Sequence, residues 1–151
     1  MRVALGIIVA LAITAPAAAK DANAAFFARN AKAPGVKTIP GIQYKVLKSG
    51  PADGAHPSRS STVKVRYVGS FIDGKVFDSS KDEPDGAVSF PLGRLIPGWT
   101  TVVPMMRPGD EWEIYLPPEY AYGADGKDII PGNAAMVFRI ELLEVSDAPS
   151  S

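Results

Sequence analysis

Few side chains in this sequence could move a proton, attack a carbonyl or hold a metal. The single histidine, His56, lies in a stretch of Gly, Pro, Ser and Asp from Gly50 to Ser61, and the chain has no cysteine. A Ser/His/Asp triad needs a base within hydrogen-bond reach of a nucleophile, and a zinc site needs three or four converging ligands. A lone histidine in a Pro/Ser loop supplies neither. Without cysteine there is also no disulfide framework, no thiolate nucleophile and no acceptor for a bacterial lipid anchor. Glu111 and Glu113, spaced i, i+2, share one face of a strand and read as solvated rather than as a catalytic pair. Neither G-x-G-x-x-G nor a P-loop is present to cradle phosphate. Sixteen basic and sixteen acidic residues cancel without clustering, so the field that holds a phosphate backbone is missing, and nucleic acid is excluded as a partner. No metal and no cofactor is implied.

What the sequence does concentrate is large apolar groups close to turns: Tyr67, Phe77, Val88, Leu95, Ile96, Trp99, Tyr122, Ile129, Ile130 and Phe138. Period-two alternation predicts the strands that carry them. Ile42, Tyr44 and Val46 alternate with Gln43 and Lys45, and Val63, Val65 and Tyr67 with Lys64 and Arg66. Asp73-Gly74, between Phe71-Ile72 and Val76-Phe77, is a strong hairpin signal. Val88 to Leu92, Trp112 to Leu116 and Met136 to Leu142 complete five or six strands, mostly hairpin-linked. Between them Trp99, Val102, Val103 and Met106 fall at helical spacing after Pro97, which suits a first turn. Pro104 must lie at or past that helix's end, because an interior proline costs about 3 kcal/mol. One short helix from Gly98 to Val103 should cover the open face of an antiparallel sheet, an α+β arrangement with aromatic residues left between the layers.

These residues resemble a known family. Val65-x-Tyr67-x-Gly69, Asp73-Gly74-x-x-Phe77-Asp78-Ser79-Ser80, Phe90-x-Leu92-Gly93, Ile96-x-Gly98-Trp99, Ala121-Tyr122-Gly123 and Ile130-Pro131 follow one another as in the FKBP-type, macrolide-binding peptidyl-prolyl isomerases. The resemblance covers about Ile42 to Val145, and Pro34 to Leu47 is similar to the stretch that precedes the domain in exported bacterial members. It implies a half-barrel sheet wrapped on the short helix, with Trp99 as the pocket floor. Tyr67, Phe77, Asp78, Tyr122 and Phe138 would complete the catalytic set, and Val88, Leu95, Ile96, Ile129 and Ile130 the substrate-binding set. Ile96 would offer its backbone N–H, and Tyr122 its hydroxyl, to substrate carbonyls. Asp78 would orient Tyr67 or a substrate N–H. Val88 stands where many members carry Phe, which implies a thinner wall. The ligands implied are proline-containing polypeptides, unfolded or partly folded, with macrolide inhibitors as a further class.

Such a pocket needs no proton transfer. The barrier to turning an X-Pro bond is the loss of amide resonance, about 18–20 kcal/mol, and uncatalysed exchange takes tens to hundreds of seconds. The twisted imide has less charge separation than the planar one, so a dry aromatic site binds it better than the ground state. In the same fold, a proline-directed binding module or chaperone without turnover is the alternative, and the retained set of aromatic and polar residues favours the enzyme.

The ends of the chain read as follows. Arg2, an apolar run from Val3 to Thr14, and Ala17-Ala18-Ala19 make a signal peptide over residues 1–19, cleaved after Ala19. The run is Ala-rich and shorter than the roughly 20 residues a spanning helix needs, so no stable membrane insertion and a periplasmic or secreted location are expected. Residues 20–41 form an N-terminal extension, at most briefly helical, whose Phe26-Phe27 pair could dock on the domain or pair two chains but is read first as a greasy linker. Residues 42–145 are the isomerase domain and 146–151 a flexible tail. With so short an extension the protein is expected to be a monomer.

Overall fold

The structure, a computed structural model, describes residues 17–147. Most of the proposed signal peptide, residues 1–16, and the end of the tail, residues 148–151, lie outside the described residues.

The first described element is a helix, α1, over residues 17–30. A proline–glycine hairpin follows. β1 (Val36–Ile39) pairs antiparallel with β2 (Ile42–Lys48), Ile39 opposite Ile42. Gly41, at φ +81°, takes the left-handed position that a tight turn after Pro40 demands. β3 (Thr62–Phe71) is the longest strand before the helix and turns at Asp73-Gly74 into β4 (Val76–Ser79). β5 (Val88–Pro91) pairs with the first half of β3. α2 (Pro97–Val102) then crosses to β6 (Glu111–Leu116), and β7 (Met136–Ser146) closes the chain. The order across the sheet is β1-β2-β6-β7-β3-β4, with β5 joined to β3.

The architecture is thus the expected antiparallel sheet on one short helix, with seven strands where five or six were read. The additional strand is β1, inside the stretch assigned to the extension. β7 also runs one residue into the expected tail, to Ser146, and Asp147 accepts a hydrogen bond from Ser61 Oγ at 3.0 Å. Pro104 sits in a 3-10 turn, Val103–Met105, just past α2, where its missing N–H costs no helical bond.

The core lies between the concave face of the sheet and α2. Val63, Val65, Ile114, Leu116, Ile140 and Leu142 from the strands meet Leu92, Val102, Val103 and Met106. Each such side chain contributes about 1.5–3 kcal/mol by leaving water. Gly98 sets the distance between the layers, since a Cβ there would run into the Leu116 side chain. α2 therefore lies close on β6, and Trp99, the next residue, is pressed into the sheet at 4 % exposure.

The N-terminal extension is no linker. α1 is amphipathic, with Asn23, Phe26, Phe27 and Asn30 half-buried at helical spacing. Asn30 Nδ2 donates to Gln43 Oε1 at 2.8 Å, Gln43 Nε2 donates to the Phe27 carbonyl at 2.9 Å, and Asn23 Nδ2 donates to the Asn133 carbonyl at 2.8 Å. The Phe26 ring lies 6.1 Å from that of Tyr115. Docking wins because it gives these amides and the Phe26 ring partners on β2, β6 and the loop before β7, with Phe27 packed edge-on against Phe26. Among the described residues no helix is long and apolar enough to cross a membrane.

Candidate functional site

A cavity of about 330 Å3 opens between α2 and the sheet, lined by Tyr67, Phe77, Asp78, Phe90, Arg94, Leu95, Ile96, Trp99, Tyr122, Lys127 and Phe138. Its residues come from β3, β4, β5, the turn into α2, α2 itself, the loop after β6, and β7. Only the closed register of the sheet brings them together: Gly69 lies opposite both Asp78 and Phe138. Gly69 is also where the two phenylalanines enter, for a Cβ there would stand 2.7 Å from the Phe138 ring and 2.8 Å from that of Phe77.

Trp99 forms the base. The rings of Tyr67 and Phe138 each lie 5.5 Å from it, and that of Phe90 at 6.1 Å, all three edge-on with interplanar angles of 84–88°. Edge-to-face packing places positive ring edges against the negative face of the indole, and it holds the walls upright around an open centre. Phe77 continues the wall, edge-on to Phe138 at 5.7 Å.

The polar groups are few and differently engaged. Tyr67 Oη donates to Asp78 Oδ2 at 2.6 Å. Of the two tasks read for Asp78, the structure supports orienting Tyr67. Burial, and then the hydrogen bond and charge of Asp78, push the Tyr67 phenol well above the ordinary tyrosine range. Burial, followed by the charges of Asp78 and Asp128, also raises the Tyr122 phenol. Both hydroxyls are therefore neutral donors at neutral pH. Ile96 caps α2, and among the described residues no backbone carbonyl accepts from its N–H.

Three of the residues assigned to the pocket lie elsewhere. Val88 is absent from the lining. It pairs with Val65 on β5, and Phe90, two residues on and on the same face of the strand, supplies the wall instead. Ile129 is 75 % exposed; it and Ile130 line a shelf beside the cavity, shared with Phe77, Asp78 and Tyr122. Ile130 is buried against the core and Ile129 projects from the loop tip. Phe90, Arg94 and Lys127 were not assigned to the site. Period two from Val88 would have reached Phe90, whereas nothing local marks the two loop cations. His56 Nδ1 lies 2.9 Å from the Met106 carbonyl oxygen, away from the cavity.

A sheet half-closed on a short helix encloses an indole-based hollow with one phenol–carboxylate pair, a shape suited to a compact apolar group. Residues 54–143 match the family model of the FKBP-type peptidyl-prolyl cis-trans isomerases, and the chain belongs to that family. It is similar to the FKBP-type isomerase FkpA of Aeromonas hydrophila, 46 % identical over 80 % of this chain and 44 % of the relative. The isomerase Mip of Coxiella burnetii is 42 % identical over 83 % of this chain and 54 % of its own length. The chain thus spans about half the length of these curated relatives. Among solved structures, FkpA from Escherichia coli superposes over 98 % of this chain and 72 % of its own, with TM-score 0.76 and 36 % identity. A peptidyl-prolyl cis-trans isomerase from Pseudomonas syringae does so over 86 % and 95 %, with TM-score 0.78 and 39 % identity.

Proposed function

We propose that this protein is a peptidyl-prolyl cis-trans isomerase that turns X-Pro bonds in its cavity. The observation that carries the reading is the indole of Trp99 ringed edge-on by Tyr67, Phe90 and Phe138 around open space. The prolyl ring would rest on Trp99 with its imide among aromatic edges, where little water can solvate the planar, charge-separated ground state. The twisted imide, with less charge separation, gains relative to it, and each 1.36 kcal/mol of that preference is tenfold in rate. Asp78, bonded to Tyr67, holds a wall upright and moves no proton. The Ile96 N–H and the Tyr122 hydroxyl would hold the substrate carbonyls and fix which side of the bond rotates.

The site residues proposed are Tyr67, Phe77, Asp78, Phe90, Leu95, Ile96, Trp99, Tyr122 and Phe138, with Ile129 and Ile130 touching the chain beyond the proline. Macrolides, which offer a comparable apolar ring, are a further ligand class. Export is proposed from the leader-like residues 1–19; removing them leaves α1 its side-chain hydrogen bonds to the domain, the first of which is made by Asn23. A monomer is supported by α1 turning its apolar face onto its own domain. Sedimentation of the cleaved protein as a dimer would contradict that.

Catalysed cis–trans exchange of a short X-Pro peptide tests the central reading. Acceleration over the uncatalysed rate, reduced at least tenfold by Trp99→Ala and by Asp78→Ala, is expected. Binding of the peptide without acceleration would leave a binding module of the same fold.

A further inference from the structure

Two serines in the described chain are almost wholly buried, Ser61 at 0 % and Ser80 at 2 % exposure. Their hydroxyls serve different places. Ser61 Oγ accepts from the Ser58 N–H at 2.9 Å and donates to Asp147 at 3.0 Å, tying a loop to the end of β7. Ser80 is the last residue of the Asp78-Ser79-Ser80 run, and the site described above gives it no task. It grips Tyr67 from two sides. The Ser80 N–H donates to the Tyr67 carbonyl at 3.0 Å, and the Tyr67 N–H donates to Ser80 Oγ at 2.9 Å. The hydroxyl proton goes to the Gly86 carbonyl at 2.7 Å, which closes the loop leading from β4 to β5.

These bonds continue the β3–β4 pairing one residue past its last strand partners, Val68 and Ser79. Residue 67 is thereby held to the same short segment twice: by its main chain at Ser80 and by its phenol at Asp78. A 2.6 Å bond from a ring that must also stand edge-on to Trp99 leaves little angular slack. Strand pairing already places Asp78 opposite Gly69 and Tyr67 opposite Ile140, and the Ser80 joint is the contact that ties the Tyr67 main chain itself to the β4 segment carrying Asp78.

We propose that Ser80 is a positioning residue for the reaction: its buried hydroxyl locks the Tyr67 main chain to the end of β4 and so aims the phenol at Asp78. The proposal rests on the isomerase reading of this cavity. It is distinct from a general stabilising role because Ser61, equally buried and equally bonded, makes no contact with the cavity and serves as the matched control.

The test compares Ser80→Ala, Ser61→Ala, Tyr67→Phe and the Ser80→Ala/Tyr67→Phe double variant in X-Pro peptide exchange, unfolding midpoint and the NMR ring signals of Tyr67. Ser80→Ala should lower kcat/KM about tenfold, chiefly in kcat, and shift the Tyr67 signals. Ser61→Ala should lower the midpoint with kcat/KM within about twofold and the signals unmoved. In the double variant the serine change should add less than about twofold to the loss from Tyr67→Phe, since both act on one bond. Should Ser80→Ala not fold, Ser80→Cys, which is slightly larger but keeps a weak donor at the same position, is expected to show the same shifts at a smaller size. Turnover within twofold of wild type in a folded Ser80 variant, or losses that multiply in the double variant, would overturn the proposal. A wild type without turnover would instead remove the isomerase reading, and the Tyr67 signals would still report whether Ser80 holds the ring.

Discussion

The aromatic cavity and the α1 docking face use opposite means to hold a side chain. In the cavity, rings hold rings: Tyr67, Phe90 and Phe138 stand edge-on to Trp99, with a single phenol–carboxylate bond among them. At the docking face, amides do the holding, with Asn30, Gln43 and the Phe27 carbonyl in series and Asn23 on Asn133. The difference teaches what each region is for. On the proposed isomerase reading, a site that discriminates a twisted imide from a planar one has to stay open and poor in competing donors, and ring packing pinned by the Tyr67–Asp78 bond can shape it. A helix that has to settle in one register on a finished domain is better served by directional hydrogen bonds, which are worth about 1 kcal/mol each and fail when misaligned.

That contrast can be broken at its strongest point first. Trp99→Ala removes the base from under three rings at once; the expected cost is about 3–5 kcal/mol of stability, measured by denaturant unfolding, together with the loss of turnover given above. Gly69→Ala should act on the same rings from the other side. The added methyl must displace Phe138 or Phe77, so a cost of about 1–3 kcal/mol and a fall in kcat/KM are expected, without any polar group being touched. Asn30→Ala sharpens the comparison from the docking face. It strands the Gln43 carbonyl oxygen, which lowers stability by about 1–2 kcal/mol, while exchange of a short X-Pro peptide stays at the wild-type rate. The smallest effect concerns pH. The Tyr67 and Tyr115 phenols are raised above the ordinary value of 10.0, by burial first and then by Asp78 and Glu113 respectively. The folded state therefore holds these protons more tightly than the unfolded chain. Their contribution is complete below pH 10 and is lost as pH rises beyond it. Activity should be level across neutral pH, with unfolding midpoints falling only in strong alkali.

The cavity was legible in the sequence because its residues sit in short motifs beside turns, and turn chemistry is local. Asp73-Gly74 and Gly98-Trp99 each announce a backbone geometry and the aromatic beside it. The errors came where one residue of spacing decides the outcome. Val88 and Phe90 share a face of β5, so period two alone does not choose between them, and Phe90 is the one that lines the cavity. Ile129 and Ile130 lie in a loop with four left-handed residues, Gly123, Gly126, Asp128 and Asn133, whose path no periodicity reports. The docking face was illegible for another reason. Asn23 finds its partner 110 positions away and Asn30 finds its own 13 away, so an Ala-rich stretch with two phenylalanines looked like a linker until the surface it fits had been formed. β1 was missed with it, being four residues long and recognisable chiefly by its pairing with β2.

The central claim is that a proline ring sits on the Trp99 indole in a hollow kept open by its neighbours. A crystal structure of the protein with a bound X-Pro peptide tests it most directly. The account predicts the prolyl ring over Trp99, between Tyr67, Phe90 and Phe138, with the substrate carbonyls facing the Ile96 N–H and the Tyr122 hydroxyl. A hollow filled by the protein's own side chains, with the peptide bound on another face, would contradict it.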